Sequence, residues 1–193
     1  MISINIFSKC PFYGNPKTRL NKLLGVDGCK FIAQQMLIML LDELCSLKEI
    51  ADIKIWVYPN YEHKWFNLLS KKYGVTLHKQ VGANLASRMI TCLDNESNNY
   101  TKTILIGSDI PSFTKDLCIE AIDFLDKKDV ILGKSRDEGF YLIGIKKYNK
   151  FIKLDGEKIE YKKLKINIEN LKHSVHTLES LKDIDTPNDL LNL

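Results

Sequence analysis

The sequence has only four histidines, and His63, His78, His173 and His176 form neither an HExxH helix motif nor a compact ligand cluster. That excludes zincin-type hydrolysis. No GxSxG is present, so the nucleophile elbow of the α/β-hydrolases is excluded. No GxxxxGK[ST] occurs, which rules out a P-loop, and no GxGxxG follows the first apolar run, which argues against a dinucleotide-binding Rossmann domain. The five cysteines are odd in number and include no CxxC pair. A disulfide framework or zinc knuckle does not fit them, and reduced thiols in a cytoplasmic protein are the simple reading. Cys10, set in a basic loop, is the one cysteine whose surroundings point to reactivity. The opening residues MISINIF lack a basic segment and a small-residue cleavage site, so no signal peptide is expected. The longest apolar segment, Phe31 to Leu41, is interrupted by Gln34 and Gln35, and no integral membrane segment is expected from it. Basic residues number 28 against 24 acids and are scattered, for a net charge of +4. No basic stripe marks a nucleic-acid binder, and the mild excess suits an anionic small molecule.

What is present is an ordinary globular composition, 45% apolar and 27% charged over 193 residues. It is enough for a single domain, 1–193, with its own core. No linker or repeat interrupts it, and strand and helix patterns alternate. Strands are expected at Ile2 to Phe7, Ile53 to Tyr58, Val75 to Leu77, Thr103 to Ile106, Val130 to Leu132, Phe140 to Ile145 and Val175 to Leu178. Helices are expected at Cys29 to Leu47, Lys64 to Tyr73 (stopped by Gly74), Asn84 to Leu93, Thr114 to about Asp126, and from Pro187. The stretch from Tyr148 to Lys172 carries no clear period. Alternation of this kind predicts a three-layer α/β/α sandwich on a mostly parallel, mixed sheet. Ligands in such folds bind beyond the carboxyl ends of the strands. The apolar helix from Phe31 to Leu47 is expected to be buried, with a homodimer contact as the alternative.

Five segments place polar chemistry at those strand ends. In Ser8–Leu20, two prolines and Gly14 fix a tight path, and Lys9, Lys17 and Arg19 bring three cations together. Such a loop can cradle phosphate, or it can be a solvated basic loop. Asp109, in Gly107-Ser108-Asp109-Ile110-Pro111, follows a buried strand. A carboxylate there suits a divalent cation, or a turn cap. Arg136-Asp137-Glu138-Gly139 joins two strands and by itself reads best as a turn. Gln80 ends a strand and could meet a base or sugar edge, and Arg88 lies two turns into the next helix, where a surface salt bridge is the bland reading. Asp183-Ile184-Asp185-Thr186-Pro187-Asn188-Asp189 is either a further metal carboxylate or a capped helix start.

Together these segments resemble the small glycosyltransferase-A-like proteins known as the selenodomain-associated transferase family, which is related to nucleotidyltransferases. Lys9 to Leu20 fits its K-x-P-x-x-G-x-x-K-T-R-L loop, and Gln80 to Met89 its Q-x-G-x-x-L-x-x-R-M segment. Gly107 to Pro111 fits G-[ST]-D-x-P, Leu132 to Gly144 fits L-G-x-x-x-D-G-G-Y-Y-L-I-G, and Asp183 to Leu190 fits D-I-D-T-P-x-D-L. The resemblance implies a glycosyltransferase-A fold and a metal-dependent transferase acting on a nucleotide-activated donor, foremost a nucleotide sugar, toward a small-molecule acceptor. The alternatives are a nucleotidyltransferase, which takes a nucleoside triphosphate and releases pyrophosphate, and a non-catalytic nucleotide-binding member. By the same resemblance, Lys9, Gly14, Lys17 and Arg19 bind phosphates, with Gln80 and Arg88 on the nucleotide side. Asp109 and Asp185 hold Mg²⁺ or Mn²⁺, and Asp109 and Asp137 are the catalytic pair. One departure stands out: the glycine after the family's aspartate is Glu138 here, which adds bulk and charge where the family has none.

Overall fold

The computed structural model describes residues 1–13, 15–146, 152, 154, 156 and 159–190. β-branched and aromatic runs form seven strands: β1 Ile2–Lys9, β2 Ala51–Tyr58, β3 Thr76–Lys79, β4 Lys102–Gly107, β5 Val130–Ser135, β6 Phe140–Ile145 and β7 Val175–Leu181. They make one sheet in the order β3-β2-β1-β4-β6-β5-β7. β6 alone runs antiparallel, against both β4 and β5, and every other pairing is parallel. The mixed sheet expected from the sequence is therefore present.

The helices are α1 Asn21–Leu44, α2 Lys64–Tyr73, α3 Leu85–Ser97, α4 Lys115–Phe124, α5 Tyr161–Asn170 and α6 Pro187–Leu190. Period-2 alternation along the strands separates two cores. Ile4, Ile6, Ile104, Ile106 and Ile131 face a layer built from α1, α2 and α4. Trp56, Leu105, Val130, Leu132 and Ile143 face α3 and α5. On that second face β1 carries Ser3 and Asn5, both fully buried. Asn5 accepts from Trp56 Nε1 at 2.8 Å and donates to the Ile104 carbonyl at 3.2 Å, which satisfies the buried amide and ties β2, β1 and β4 together.

Local signals account for the boundaries. Gly74 ends α2 in the left-handed conformation (φ 61°), and the Thr114 hydroxyl caps α4 through Leu117 N. Asn84 and Ser87 form a reciprocal capping box at α3. Gly82 (φ 149°) lies so close to this turn that a Cβ there would fall 2.6 Å from Arg88 N.

α1 differs from expectation. Helical residues begin at Asn21, ahead of the expected Cys29, but Gly25 is non-helical (φ 67°, ψ 175°), so α1 is a short leading turn and a longer helix joined across a kink. By length and composition alone the stretch Thr18–Glu49, with that kink inside it, is apolar enough to cross a membrane. Leu37, Leu40, Leu41 and Leu44 pack it onto the sheet. Burial of the stretch from Phe31 to Leu47 holds for that face, but Phe31 and Met39 on the outer face are exposed, as are Leu23 and Val26 ahead of it. All five cysteines are free, and Cys10 is fully buried, which removes the accessibility that a reactive thiol needs.

Candidate functional site

The carboxyl ends of β1, β4 and β5, with the start of β6 and the segment before α6, surround a cleft of about 630 Å³. That volume suits a nucleotide-sized ligand. One wall is apolar, made by Phe7, Leu85, Met89, Leu105, Phe140 and Ile159. The other carries charge: Lys9, Lys17 and Arg19 from the β1–α1 loop face Asp109, Asp137, Asp183 and Asp185.

The centre of the charged wall is Lys17. Its backbone is left-handed (φ 55°, ψ 40°) and opens the 3-10 turn Thr18–Leu20. The turn follows Asn15, also at positive φ (41°). Its carbonyl accepts from Leu20 N at 2.8 Å and from the Cys29 thiol at 3.4 Å, which pins the backbone. The side chain reaches across the cleft. Nζ donates to Asp109 Oδ2 and to Asp185 Oδ1, both at 2.9 Å. Burial works against the ammonium, but Asp109 and then Asp185 outweigh it, and the pKa of Lys17 is raised. Arg19 lies more openly, its Nη1 3.4 Å from Asp185 Oδ2.

The carboxylates are held by local geometry. Ile184 N donates to the Asp109 carbonyl at 3.2 Å and joins the end of β4 to the C-terminal segment. The side chain of Asp189 accepts from Asp185 N, Thr186 N and the Thr186 hydroxyl at 3.1, 2.6 and 2.8 Å. Burial tends to raise the pKa of Asp189. Hydrogen bonds from Thr186 and Asp185, with one from Lys182, outweigh it and bring it to about 2. The Thr-Pro-x-Asp turn is thus a capped helix start, and it leaves Asp185 facing Lys17.

Asp183, the first residue of the D-I-D-T-P segment and one with no expected role of its own, lines the cleft and accepts from Ser135 Oγ at 3.0 Å. Burial and the nearby Asp137 raise its pKa. The Asp-Ile-Asp alternation carries the signal: Ile184 is buried, and in an extended segment its two neighbours share the opposite side.

The remaining residues fall as follows. Asp137 lines the cleft from the β5–β6 hairpin and is turned by its own hydrogen bond from Gly139 N, 2.9 Å. Glu138 is exposed, does not line the cleft, and has φ 74°. The family glycine therefore answers a left-handed backbone, and Glu138 leaves the pocket unfilled. Gln80 is not at the cleft. It is 6% exposed, and its Nε2 is spent on the Trp56 and Ser8 carbonyls at 2.8 and 3.3 Å. Arg88 also lies outside the cleft lining, over the Tyr58 ring at 4.2 Å. Gly14 lies outside the described residues. Among the described residues, no three His, Cys, Asp or Glu side chains group as metal ligands. Asp109 and Asp185 do meet at one cation, the Lys17 ammonium, and two carboxylates are what Mg²⁺ commonly takes from a protein.

Known structures share this architecture. A candidate nucleotide-diphospho-sugar transferase from Desulfovibrio desulfuricans is 26% identical, with a TM-score of 0.87 over 98% of this chain and 84% of that one. A 4-diphosphocytidyl-2C-methyl-D-erythritol synthase from Anaerococcus prevotii is 15% identical, at TM-score 0.66 over 100% of this chain and 93% of that one. A Mycobacterium tuberculosis protein crystallised with manganese, also 15% identical, gives 0.58 over 100% and 97%. No functionally curated protein matches the sequence. A family described as an uncharacterized protein conserved in bacteria, DUF2064, matches residues 41–157. The matched region spans more than half of a chain whose sheet is that of the nucleotide-diphospho-sugar transferases, and the chain belongs to the DUF2064 family.

Proposed function

We propose that the protein is a metal-dependent transferase acting on a nucleotide-activated donor, and that it moves a glycosyl group from a nucleotide sugar to a small-molecule acceptor. The observation that carries this reading is the meeting of Asp109 and Asp185 at one cationic point, 2.9 Å from each, beside an apolar wall. The single domain 1–193 would supply the whole site.

Asp109 and Asp185 would hold Mg²⁺ or Mn²⁺, which when bound supplies charge neutralisation at the donor's diphosphate. Lys17, Arg19 and Lys9 place positive charge on the same side, where charge builds up as nucleoside diphosphate leaves. The apolar wall from Phe7 to Phe140 accepts the ring and carbon surface of the ligand and excludes water. Asp137, at the hairpin opposite the basic loop, stands on the acceptor side as the group that takes the acceptor's proton. Gln80 and Arg88 support the fold of this edge from behind.

A nucleotidyl transfer with release of pyrophosphate is the second reading, favoured by the cytidylyltransferase-like likeness in fold. The two are separated by the product: nucleoside diphosphate for the first, pyrophosphate for the second.

The test is a thermal-shift panel of nucleoside diphosphates, triphosphates and nucleotide sugars, with and without Mn²⁺. A ligand at about 100 times its Kd adds roughly 2.7 kcal/mol. The expected result is a metal-dependent shift that Asp109→Asn abolishes while the unliganded midpoint stays within a few degrees. Nucleotide binding by Asp109→Asn with unchanged metal dependence would sink the assignment.

A further inference from the structure

Charge is unevenly shielded at the centre of the cleft. The Lys17 side chain is 8% exposed, whereas Asp109 and Asp185 keep 39% and 36%. The cation is therefore the group that depends on its partners, and the carboxylates remain in contact with water. The Lys17 carbonyl is tethered by Leu20 N and the Cys29 thiol, so the side-chain torsions are the least hindered route for the ammonium to move.

The ammonium stands where a divalent cation would share the same two oxygens. Both cannot be there: like charges a few Å apart in a partly desolvated site repel strongly. Nor can Lys17 simply withdraw, because a buried ammonium stripped of both carboxylates is strongly unfavourable. It needs another anion within reach of a four-carbon stem. A ligand phosphate in the same cleft provides one, as a point-charge partner for a lysine.

We propose that Lys17 is an exchangeable counter-ion: its ammonium closes the Asp109–Asp185 pair to divalent cations until a ligand phosphate takes the ammonium over. Cation and phosphate then enter together, and the phosphate-free protein does not collect divalent ions. The proposal rests on the reading of Asp109 and Asp185 as the cation-holding pair.

Mn²⁺ uptake by the intact chain, followed through the electron paramagnetic resonance signal of free Mn²⁺, tests it without any turnover. The protein is compared with Lys17→Met and Lys17→Gln, the second keeping a donor without the charge. Circular dichroism checks the fold of each. The expected result is that both variants bind Mn²⁺ alone at least tenfold more tightly than the unaltered chain. Inorganic phosphate should tighten Mn²⁺ binding tenfold or more in the unaltered chain and less than twofold in the variants. Adding Asp109→Asn to Lys17→Met should remove the gained affinity. Variants that bind Mn²⁺ no more tightly overturn the exchange and leave the metal site standing. A gain that survives Asp109→Asn overturns it as well, because the new site then lies elsewhere. If no form takes up Mn²⁺ with or without phosphate, the metal reading itself falls and the exchange with it.

Discussion

Two loops at the carboxyl edge of the sheet each hold a non-glycine residue in the left-handed conformation, and they use it in opposite ways. In the β1–α1 loop Asn15 and Lys17 are both left-handed, and it is the Lys17 side chain that is drawn into the cleft and bonded to two carboxylates. In the β5–β6 hairpin the left-handed residue is Glu138, whose side chain stays in solvent and whose carbonyl accepts from Tyr161 N at 2.9 Å. A left-handed L-residue costs about 1 kcal/mol in either place. At Lys17 the cost is offset by what the side chain reaches. At Glu138 only the backbone is engaged, and any residue could supply that. A positive φ thus marks function only where the side chain it aims has a partner.

The comparison can be broken most severely at Lys17. Lys17→Ala should weaken binding of a nucleoside diphosphate by about 10–100-fold, as expected for loss of a charged hydrogen bond of about 1.5–3 kcal/mol. Binding of the parent nucleoside should hardly change, and titration calorimetry with both ligands decides. Equal losses would assign Lys17 to the fold instead.

A third loop, before α6, sharpens the contrast because its geometry is fixed by hydrogen bonds without backbone strain. Asp189→Ala should cost about 1 kcal/mol in urea unfolding at neutral pH. The effect must also titrate. The folded pKa of Asp189, about 2, lies below its unfolded value of about 3.8. Its contribution is therefore present above about pH 3.8 and is lost as pH falls toward 2. The difference between the two proteins should shrink over that window, and a constant difference would refute the assignment.

The smallest effect belongs to the hairpin. Glu138→Gly should raise stability by about 0.5 kcal/mol, since relief of strain is partly offset by a more flexible unfolded chain. It should leave nucleotide binding unaltered. Differential scanning calorimetry and the same nucleotide panel read both quantities, and a fall in stability would show that the glutamate side chain has a partner.

Much of this was legible from local signals. Gly74, Thr114 and Pro187 end or start helices where their chemistry says they should, and the apolar run before Gly107 is β4. The edge of the sheet and the residues Lys17, Asp109 and Asp185 follow from strand ends and motif order. Side-chain fate was not legible. Gln80 is consumed by two backbone carbonyls because its side chain turns inward, a matter of packing that spacing does not encode. The pairing of Lys17 with Asp109 joins residues 92 positions apart. Only the sheet order, which sets β1 beside β4, brings them together. The short turn ahead of the main helix of α1 carried no period of its own, and Gly25 marks a real break between the two, where the backbone leaves the helical region.

The reversed strand β6 has a mechanical consequence. Because β5 rises to the cleft edge and β6 returns from it, their hairpin is anchored on both sides: Arg136 N donates to the Leu181 carbonyl and the Glu138 carbonyl accepts from Tyr161 N. A change of length at 136–139 would therefore be felt at α5, at the end of β7 and, through Ser135, at Asp183. The reversed strand thus couples the hairpin that carries Asp137 to the segment that carries Asp183 and Asp185, so that neither side of the cleft can shift alone.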